Sequence, residues 1–176
     1  MSVKRTEWSY DLDECLVTLD YMNKRLWPNM WEVSGDGSTQ SCLQRNANSE
    51  YKNDPYTDGA GSFRNTDKVE ADYNILNEMY RGTVFEEVIR DVNGVRARLM
   101  TKKMHTTYSV HSDKSPRYHL ALVTNPNAYF IFPTLNEIMH IPADGYVYEV
   151  DTTIPHSFAN CGPDRTHLVI SKRSSS

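Results

Sequence analysis

The sequence predicts a mainly β fold that follows a helical N-terminal part. From about residue 95 onwards, the chain consists of short runs rich in β-branched and aromatic residues. Polar turn residues separate these runs, and no helical periodicity lies between them, which favours a β-sandwich or barrel. The runs are, in order, VRARLMTK, TTYSVH, YHLALV, AYFIF, EIMHI, GYVYEV and THLVIS.

The length and composition suit one folded domain. The chain has 176 residues, of which 39% are hydrophobic and 24% charged, so a sizeable core can form and disorder of the whole chain is excluded. We expect a single domain over residues 1–176. It has a helical and loop-rich part at 1–94 and the β core at 95–172.

Charge and cysteine usage exclude several classes of protein. The net charge of -4 argues against a protein that coats nucleic acid or an anionic membrane, because basic patches dominate such proteins. No apolar run approaches the roughly 20 residues that span a bilayer, and the N-terminus lacks the apolar stretch of a signal peptide. Cys15, Cys42 and Cys161 show no CxxC spacing, so we expect neither a disulfide framework nor a zinc knuckle, and a cytoplasmic location.

The first helix is predicted over residues 11–26. Its apolar side chains recur at spacings of three and four, and Pro28 ends it because proline disfavours a helical conformation in the residue before it. The residues that share the apolar face are Leu12, Cys15, Leu16, Leu19 and Met22.

Residues 33–66 differ in composition from their surroundings. They are rich in Gly, Ser, Asn and Asp and carry turn signals such as Gly35-Asp36-Gly37 and Asp58-Gly59. A structureless stretch of this length in a compact domain is often a lid, a binding loop or a disordered segment.

A second helix is predicted to start near Asp67 and to end at Gly82. Thr83 and Glu86 then form a capping-box pattern that opens a further short helix, and Asn93-Gly94 marks a tight turn. The residues that would share the apolar face of the second helix are Val69, Tyr73, Leu76 and Tyr80.

His111 and Asp113 are candidate metal ligands. They are two residues apart, so on an extended chain both side chains point to the same face. A third ligand must come from elsewhere, and His156 is the best candidate. Two histidines and one carboxylate, with open positions, are the ligand set of Fe(II) oxygenases. The alternative is a purely structural turn, in which Asp113 caps local N–H groups and His156 belongs to a loop.

Arginines follow both histidines at short spacings. Arg165 lies nine residues after His156 and opens the strand RTHLVI. If Leu168 and Ile170 pack outwards, Arg165 faces the interior and needs an anionic partner, which its planar fork binds in bidentate fashion. The alternative is an exposed strand arginine.

Arg117 lies six residues after His111, and His119 follows two residues later on the same strand face. Together they could neutralise a second carboxylate close to a metal ion. The alternative is an ordinary cross-strand polar pair.

This ordered set of motifs resembles the aspartyl/asparaginyl β-hydroxylase family, in whose broad group free-proline hydroxylases have a similar domain. The resemblance covers about residues 95–172 and rests on order and spacing as well as on residue type. The matching pieces are His111-Ser112-Asp113, Arg117-Tyr118-His119-Leu120, His156 to Asn160, and Arg165 to Leu168.

The resemblance implies a double-stranded β-helix (a cupin-like jelly roll) that binds Fe(II) and uses 2-oxoglutarate and O₂ to hydroxylate its substrate. By this resemblance, His111 and His156 are iron ligands and Arg165 holds the distal carboxylate of 2-oxoglutarate. Some family members lack a carboxylate at the position of Asp113, so its presence here indicates a complete three-residue site.

Further roles also follow from the resemblance. Arg117 and His119 match positions that in some members assist the carboxylate closest to the metal. Thr101 and Ser109 are candidates for the additional hydroxyl contact to 2-oxoglutarate. Loops near the mouth of such folds often select the substrate, so residues 33–66 are predicted to contact it. Trp27 and Trp31 either line that pocket or pack helix against sheet.

Two other functions fit the same residues. One is an iron cupin dioxygenase that does not use 2-oxoglutarate, for which two well-placed arginines would have no purpose. The other is a non-catalytic jelly roll that binds a small molecule or protein. For the enzyme, the expected partners are O₂ and a small-molecule or peptide substrate, with neither nucleic acid nor a membrane.

Overall fold

The computed structural model describes residues 1–26, 31–32, 37–49 and 59–174. In chain order the described strands are β1 (Val3–Ser9), β2 (Trp31–Glu32), β3 (Thr39–Cys42), β4 (Gln44–Arg45), β5 (Ile75–Leu76), β6 (Val95–Lys102), β7 (Thr106–Thr107), β8 (Arg117–Val123), β9 (Ala128–Phe132), β10 (Glu137–Met139), β11 (Tyr146–Val150), β12 (Ser157–Asn160) and β13 (Arg165–Ser171). The described helices are α1 (Leu12–Leu26) and α2 (Val84–Val92), with short 3₁₀ turns at Glu70–Asp72, Glu78–Tyr80 and Pro133–Leu135.

Two antiparallel sheets form a double-stranded β-helix of the cupin type. The larger sheet has seven strands in the order β1-β11-β8-β13-β6-β3-β2, and the smaller has four in the order β10-β9-β12-β7. A two-stranded pair, β4 with β5, lies outside both. The predicted mainly β jelly roll is therefore confirmed.

At the central strands of the larger sheet, apolar and polar side chains lie on opposite faces. Leu168 and Ile170 of β13 pack in a core cluster with both helices, whereas Arg165, on the opposite face, lines an interior cavity. This is the alternation that the sequence predicted for β13. A second core cluster, between the sheets, includes Phe130 and Phe158. The sheet therefore presents an apolar face to the helices and a polar face to the cavity.

The two helices match their sequence signals. Cys15, Leu19 and Met22 of α1 are buried, as the predicted apolar face requires. The residue proposed to end this helix, Pro28, lies outside the described residues. At the start of α2, Thr83 Oγ1 accepts a hydrogen bond from the Glu86 N–H at 3.4 Å, which is the N-cap half of the predicted capping box.

The helix predicted near Asp67 is wrong. Residues 67–82 instead contain two 3₁₀ turns and β5. Glu70 turns inwards to buried arginines, and Asn77 is fully buried, with its Nδ2 donating to the Cys42 carbonyl at 2.8 Å. Val69, which the helix would bury, is exposed. Tertiary hydrogen bonds and ion pairs outweigh a helical propensity of a few tenths of a kcal/mol per residue.

Six of the described strands, β1 to β5 and β12, were not predicted. β3 lies within the segment interpreted as structureless, which is therefore wrong for residues 39–42, and it pairs with β6. Residues 33–36 and 50–58 of that segment lie outside the described residues. β1 pairs with β11 at the edge of the larger sheet and carries several exposed charged and polar residues. Such edge strands lack the clear alternation of a half-buried strand.

Among the described residues, the helices are all too short or too polar to cross a membrane. The three cysteines form no disulfide with one another, and Cys15 and Cys42 are buried whereas Cys161 is exposed.

Gly145 provides a test of the close approach between the end of β1 and the start of β11. Its φ is +84°, and an added Cβ would lie 2.4 Å from the Tyr10 carbonyl oxygen. Gly82 has a similar φ of +77° but nothing within 4 Å of an added Cβ. We expect Gly82→Ala to cost about 1 kcal/mol of unfolding free energy through backbone strain alone. Gly145→Ala should cost about 1–3 kcal/mol more through overpacking. Urea unfolding measures both, and equal losses would contradict the close approach.

Candidate functional site

Backbone hydrogen bonds bring His111, Asp113 and His156 together. The N–H groups of His111 and His156 each donate to the carbonyl of the other, at 2.9 and 2.8 Å. The Asp113 N–H donates to the Thr152 carbonyl at 2.8 Å. Two segments that are distant in sequence are thereby held side by side, at one end of the smaller sheet.

The three side chains converge on one point. His111 Nε2 lies 3.6 Å from Asp113 Oδ1, and His156 Nε2 lies 3.9 Å from Asp113 Oδ2. One ligand atom from each of the three residues lies within 4.8 Å of the other two. Two ligands that each bind an ion at about 2.1 Å are separated by about 4.2 Å or less, so the two carboxylate–imidazole distances suit a first-row divalent metal, and the third pair would need to close by up to about 0.6 Å.

Both imidazoles are held in the tautomer that a metal needs. Nδ1 of His111 lies 2.9 Å from the Ser109 carbonyl oxygen, and Nδ1 of His156 lies 2.9 Å from that of Ile154. A carbonyl only accepts, so each Nδ1 carries the proton and each Nε2 presents its lone pair. Such a hydrogen bond to a backbone carbonyl is the usual orientation device for a metal-binding histidine.

Local charges favour the protonation states of metal ligands. Burial alone would raise the pKa of Asp113, but the positive charge of Arg117 lowers it below its usual range. Burial lowers the pKa of His156, despite the opposing effect of Asp113. The carboxylate is therefore ionised and His156 neutral at pH 7, and these are the forms that bind metal.

A cavity of about 330 Å³ opens onto the three residues. Its walls are the interior faces of β6, β8 and β13, and parts of the polar N-terminal segment close it. Residues 38–40 and 61–64 belong to these walls, so the structure places described parts of the 33–66 segment beside the candidate metal site. Trp27 and the side chain of Trp31 lie outside the described part of the chain.

Arg165 is a buried cation in this cavity. It is 3% exposed, and its guanidinium carbon lies 4.1 Å from the centre of the Phe158 ring. Nη1 donates to the Met100 carbonyl at 3.3 Å, and Nε has no hydrogen-bond partner. Burial lowers the pKa of Arg165 to about 10. Because Arg165 forms no ion pair with any described residue, it has the properties of a binding site for an anion.

Arg117 has a partner within the chain. Its Nη2 lies 2.6 Å from Glu70 Oε1 and its Nη1 3.0 Å from Oε2. Its Nε lies 3.7 Å from Asp113 Oδ2. Arg117 thus lies beside the candidate metal site, as expected, but its fork is occupied by Glu70. The sequence analysis missed Glu70 because it assigned this residue to a helix.

Glu70 connects several polar side chains behind the cavity wall. Its Oε2 accepts from Ser115 Oγ at 2.7 Å, and its Oε1 lies 3.3 Å from Arg96 Nη1. Burial would raise the pKa of Glu70, but Arg117, Ser115 and Arg96 together lower it below its usual value. One carboxylate therefore serves two buried arginines.

His119 and His167 form a buried pair. Their Nδ1 atoms are 3.1 Å apart, and burial lowers the pKa of both well below the usual value. Both rings are therefore neutral, and one Nδ1 donates its proton to the other. Of the two, His119 also lines the cavity.

The hydroxyl groups proposed to assist a co-substrate differ in position. Thr101 borders the cavity, but its Oγ1 is 2.7 Å from Thr166 Oγ1 and so has a partner. Ser109 is exposed, and its carbonyl orients His111. Tyr108 was not predicted as a site residue. It borders the cavity, and its ring centre is 4.8 Å from that of His111.

Comparisons with known proteins support the assignment of the fold. No family model matches the sequence, and no curated protein matches it. A Pseudomonas putida prolyl-4-hydroxylase is similar in structure, with a TM-score of 0.55 and 12% identity over 98% of this chain and 94% of that chain. At this identity the likeness shows a shared fold, a cupin-like jelly roll over nearly the whole chain.

Two further structures are similar over about half of this chain. A cupin superfamily protein from Desulfitobacterium hafniense has a TM-score of 0.35 and 16% identity, over 44% of this chain and 66% of that chain. CapF with the inhibitor 3-isopropenyl-tropolone has a TM-score of 0.34 and 16% identity, over 47% of this chain and 26% of that chain. This chain thus matches less than two thirds of either protein's length.

The histidine pair should make stability fall in mild acid. His119 and His167 stay neutral when folded, whereas in the unfolded chain they titrate near pH 6.5. The unfolded state therefore binds more protons below that pH. We expect the free energy of unfolding to fall between pH 7 and 5 by up to about 1.4 kcal/mol per pH unit for each histidine. Urea unfolding of metal-free protein measures this slope. His167→Asn should make it shallower, and an unchanged slope would contradict the buried neutral pair.

Proposed function

We propose that this chain is an Fe(II)- and 2-oxoglutarate-dependent dioxygenase that hydroxylates a C–H bond of an amino acid or of a peptide or protein side chain. The observation that carries this proposal is the combination of a 2-His-1-carboxylate cluster and an unpaired buried arginine in one cavity of a jelly roll. Its partners would be O₂ and a small-molecule or peptide substrate.

His111, Asp113 and His156 would hold the iron. The Nε2 lone pairs already face the shared point, and the Asp113 carboxylate offsets part of the charge of a divalent ion. Three protein ligands leave positions for a bidentate co-substrate and for O₂. Tyr108 and Phe130 cover the histidine rings on the protein side and limit the access of water.

Arg165 would bind the distal carboxylate of 2-oxoglutarate. Its guanidinium offers a planar fork, and the low dielectric of the buried site strengthens its attraction for a carboxylate. Stacking on Phe158 fixes the plane of the fork. Neutral His119 would orient the keto-acid end by a hydrogen bond, while Arg117, paired with Glu70, would act by charge from behind Asp113.

The bound iron and 2-oxoglutarate would together activate O₂, placing one oxygen atom on the substrate carbon and the other in succinate, with release of CO₂. The protein residues bind, orient and shield these groups. An iron cupin that does not use 2-oxoglutarate would share the three ligands, but it would leave the buried Arg165 without an anion.

Loss of either histidine should remove metal and turnover together. The wild type is expected to bind one equivalent of Fe(II), measured by calorimetry without oxygen, and to release succinate from 2-oxoglutarate slowly without substrate. His111→Ala and His156→Ala should each weaken metal binding by more than about 100-fold and abolish succinate release. The control is His105→Asn, at an exposed residue outside the cluster. Full turnover in both alanine variants would refute the proposal, and wild type without stoichiometric metal would indicate a non-catalytic module.

Arg165→Met should separate the proposed oxygenase from other cupins. The change keeps a long side chain and removes the fork, so we expect the KM for 2-oxoglutarate to rise by about 100-fold or more, with metal affinity unchanged. The matched control is Arg25→Met, an exposed arginine on α1. Steady-state succinate release measures the effect. An unchanged KM would favour a cupin that does not use this co-substrate.

A further inference from the structure

Arg98 is a second buried arginine without an acidic partner. It is 5% exposed and points from β6 into the cavity. Its Nη1 donates to Gln40 Oε1 at 3.0 Å and approaches the Gly61 carbonyl at 3.5 Å, while its Nε has no hydrogen-bond partner. No carboxylate of a described residue lies within ion-pair distance of it. Leaving a buried charge uncompensated costs several kcal/mol, so an anion is expected to complete this site.

The other buried arginines of the cavity are accounted for. Arg96 and Arg117 share the carboxylate of Glu70, and Arg165 is assigned to 2-oxoglutarate by the proposed function. Asp113 is assigned to the metal. Burial, followed by the charge of Arg117, lowers the pKa of Arg98 to about 10, which still leaves it cationic at pH 7. Glu70 carries one negative charge for two arginines, and within the described part of the chain Arg98 is the buried arginine of this cavity that neither contacts a carboxylate nor has an assigned ligand.

2-Oxoglutarate cannot supply a counterion to Arg98. On β6, Arg98 is four residues from Lys102, which pairs with Arg165 across the sheet. At about 3.3 Å per residue, the backbone positions of Arg98 and Arg165 are therefore offset by about 13 Å along the strand direction. 2-Oxoglutarate has two carboxylates, of which one would bind the metal and the other Arg165. Neither remains for Arg98.

We propose that Arg98 and Gln40 bind the carboxylate of the substrate, and that the substrate is a small carboxylic acid with a single carboxylate at this position. This inference rests on the proposed function. Gln40 holds Arg98 through its Oε1 and leaves the remaining guanidinium N–H groups for the ligand. Since Glu70 already pairs with Arg96 and Arg117, Arg98 is the buried arginine at this end of the cavity that remains for a carboxylate.

The small size of the cavity favours a small molecule over a protein side chain. Its volume of about 330 Å³ lies at the low end of the usual range for ligand sites, and the co-substrate must share it. The segment over it is anchored by Arg96, whose Nε donates to the Gly59 carbonyl at 2.9 Å. The Arg96 guanidinium also stacks on Phe63, with 3.5 Å between its central carbon and the ring centre.

The experiment is a carboxylate titration followed by NMR of arginine side chains. Wild-type protein with ¹⁵N-labelled arginine is loaded with diamagnetic Zn(II) and 2-oxoglutarate, and acetate is added, with acetamide as the uncharged control. We expect acetate to shift the Nε–Hε resonance of Arg98 saturably and acetamide to leave it in place. The spectrum of Arg98→Lys, which lacks this resonance, assigns it. The titration itself uses the wild type, so it does not depend on how well the variant folds.

The outcomes distinguish the two proposals. Loading with 2-oxoglutarate should move the Arg165 resonance, and a resonance that stays in place would count against the proposed function. If 2-oxoglutarate shifts the Arg165 resonance but acetate does not shift the Arg98 resonance, the substrate inference is overturned and the proposed function stands. The same holds if acetamide shifts the Arg98 resonance as much as acetate does. The resonance of Arg25 serves as the unaffected control.

Turnover provides a second measurement. Free amino acids are compared with their primary amides as stimulators of succinate release. We expect stimulation by an acid and not by its amide, with kcat/KM for that acid reduced about 100-fold or more in Arg98→Gln but retained in Arg25→Gln. Equal stimulation by acid and amide would contradict the inference. So would stimulation confined to a peptide without a free carboxylate near the reacting carbon.

Discussion

The ion pairs of Glu70 are the interaction on which the polar interior depends. This carboxylate comes from the N-terminal part of the chain and binds Arg96 of β6 and Arg117 of β8. Transferring any one of these charges from water is costly, and the carboxylate attracts both guanidinium groups, which repel each other. Removing the carboxylate would leave two guanidinium groups buried and unpaired. The docking of the N-terminal segment against the interior sheet face is therefore tied to the charge balance of the cavity.

The buried arginines fall into two classes, according to whether they contact a carboxylate of a described residue. Arg96 and Arg117 share a carboxylate within the chain and contribute to structure and to the surroundings of Asp113. Arg98 and Arg165 each retain an Nε without a partner and lie at different levels of the same sheet face. A folded protein tolerates such charges when a ligand compensates them. Their positions therefore outline where two anions would bind, one beside Phe158 and one beside Gln40.

The candidate metal cluster depends on the backbone more than on its side chains. His111 and His156 exchange main-chain hydrogen bonds, and each ring is oriented by the carbonyl two residues before it. The ligand atoms thus converge through hydrogen bonds that the backbone makes in any case, so little side-chain entropy is lost when an ion binds. The proposed iron site and the anion sites share one cavity, and charges interact strongly at the buried arginines because little water reaches them.

The sequence by itself determined seven of the jelly-roll strands, the ends of α2 and the outward packing of Leu168 and Ile170, because these follow from periodicity and from local capping. It also identified His111, Asp113, His156 and Arg165 as candidates. The tertiary structure decided what no local pattern contains. Glu70 lies in a segment with a helix-like sequence pattern, but its carboxylate binds two arginines that are distant in sequence. Arg98 is left without a carboxylate among the described residues. Charge compensation acts through space, so only the folded chain shows which buried charges have a partner.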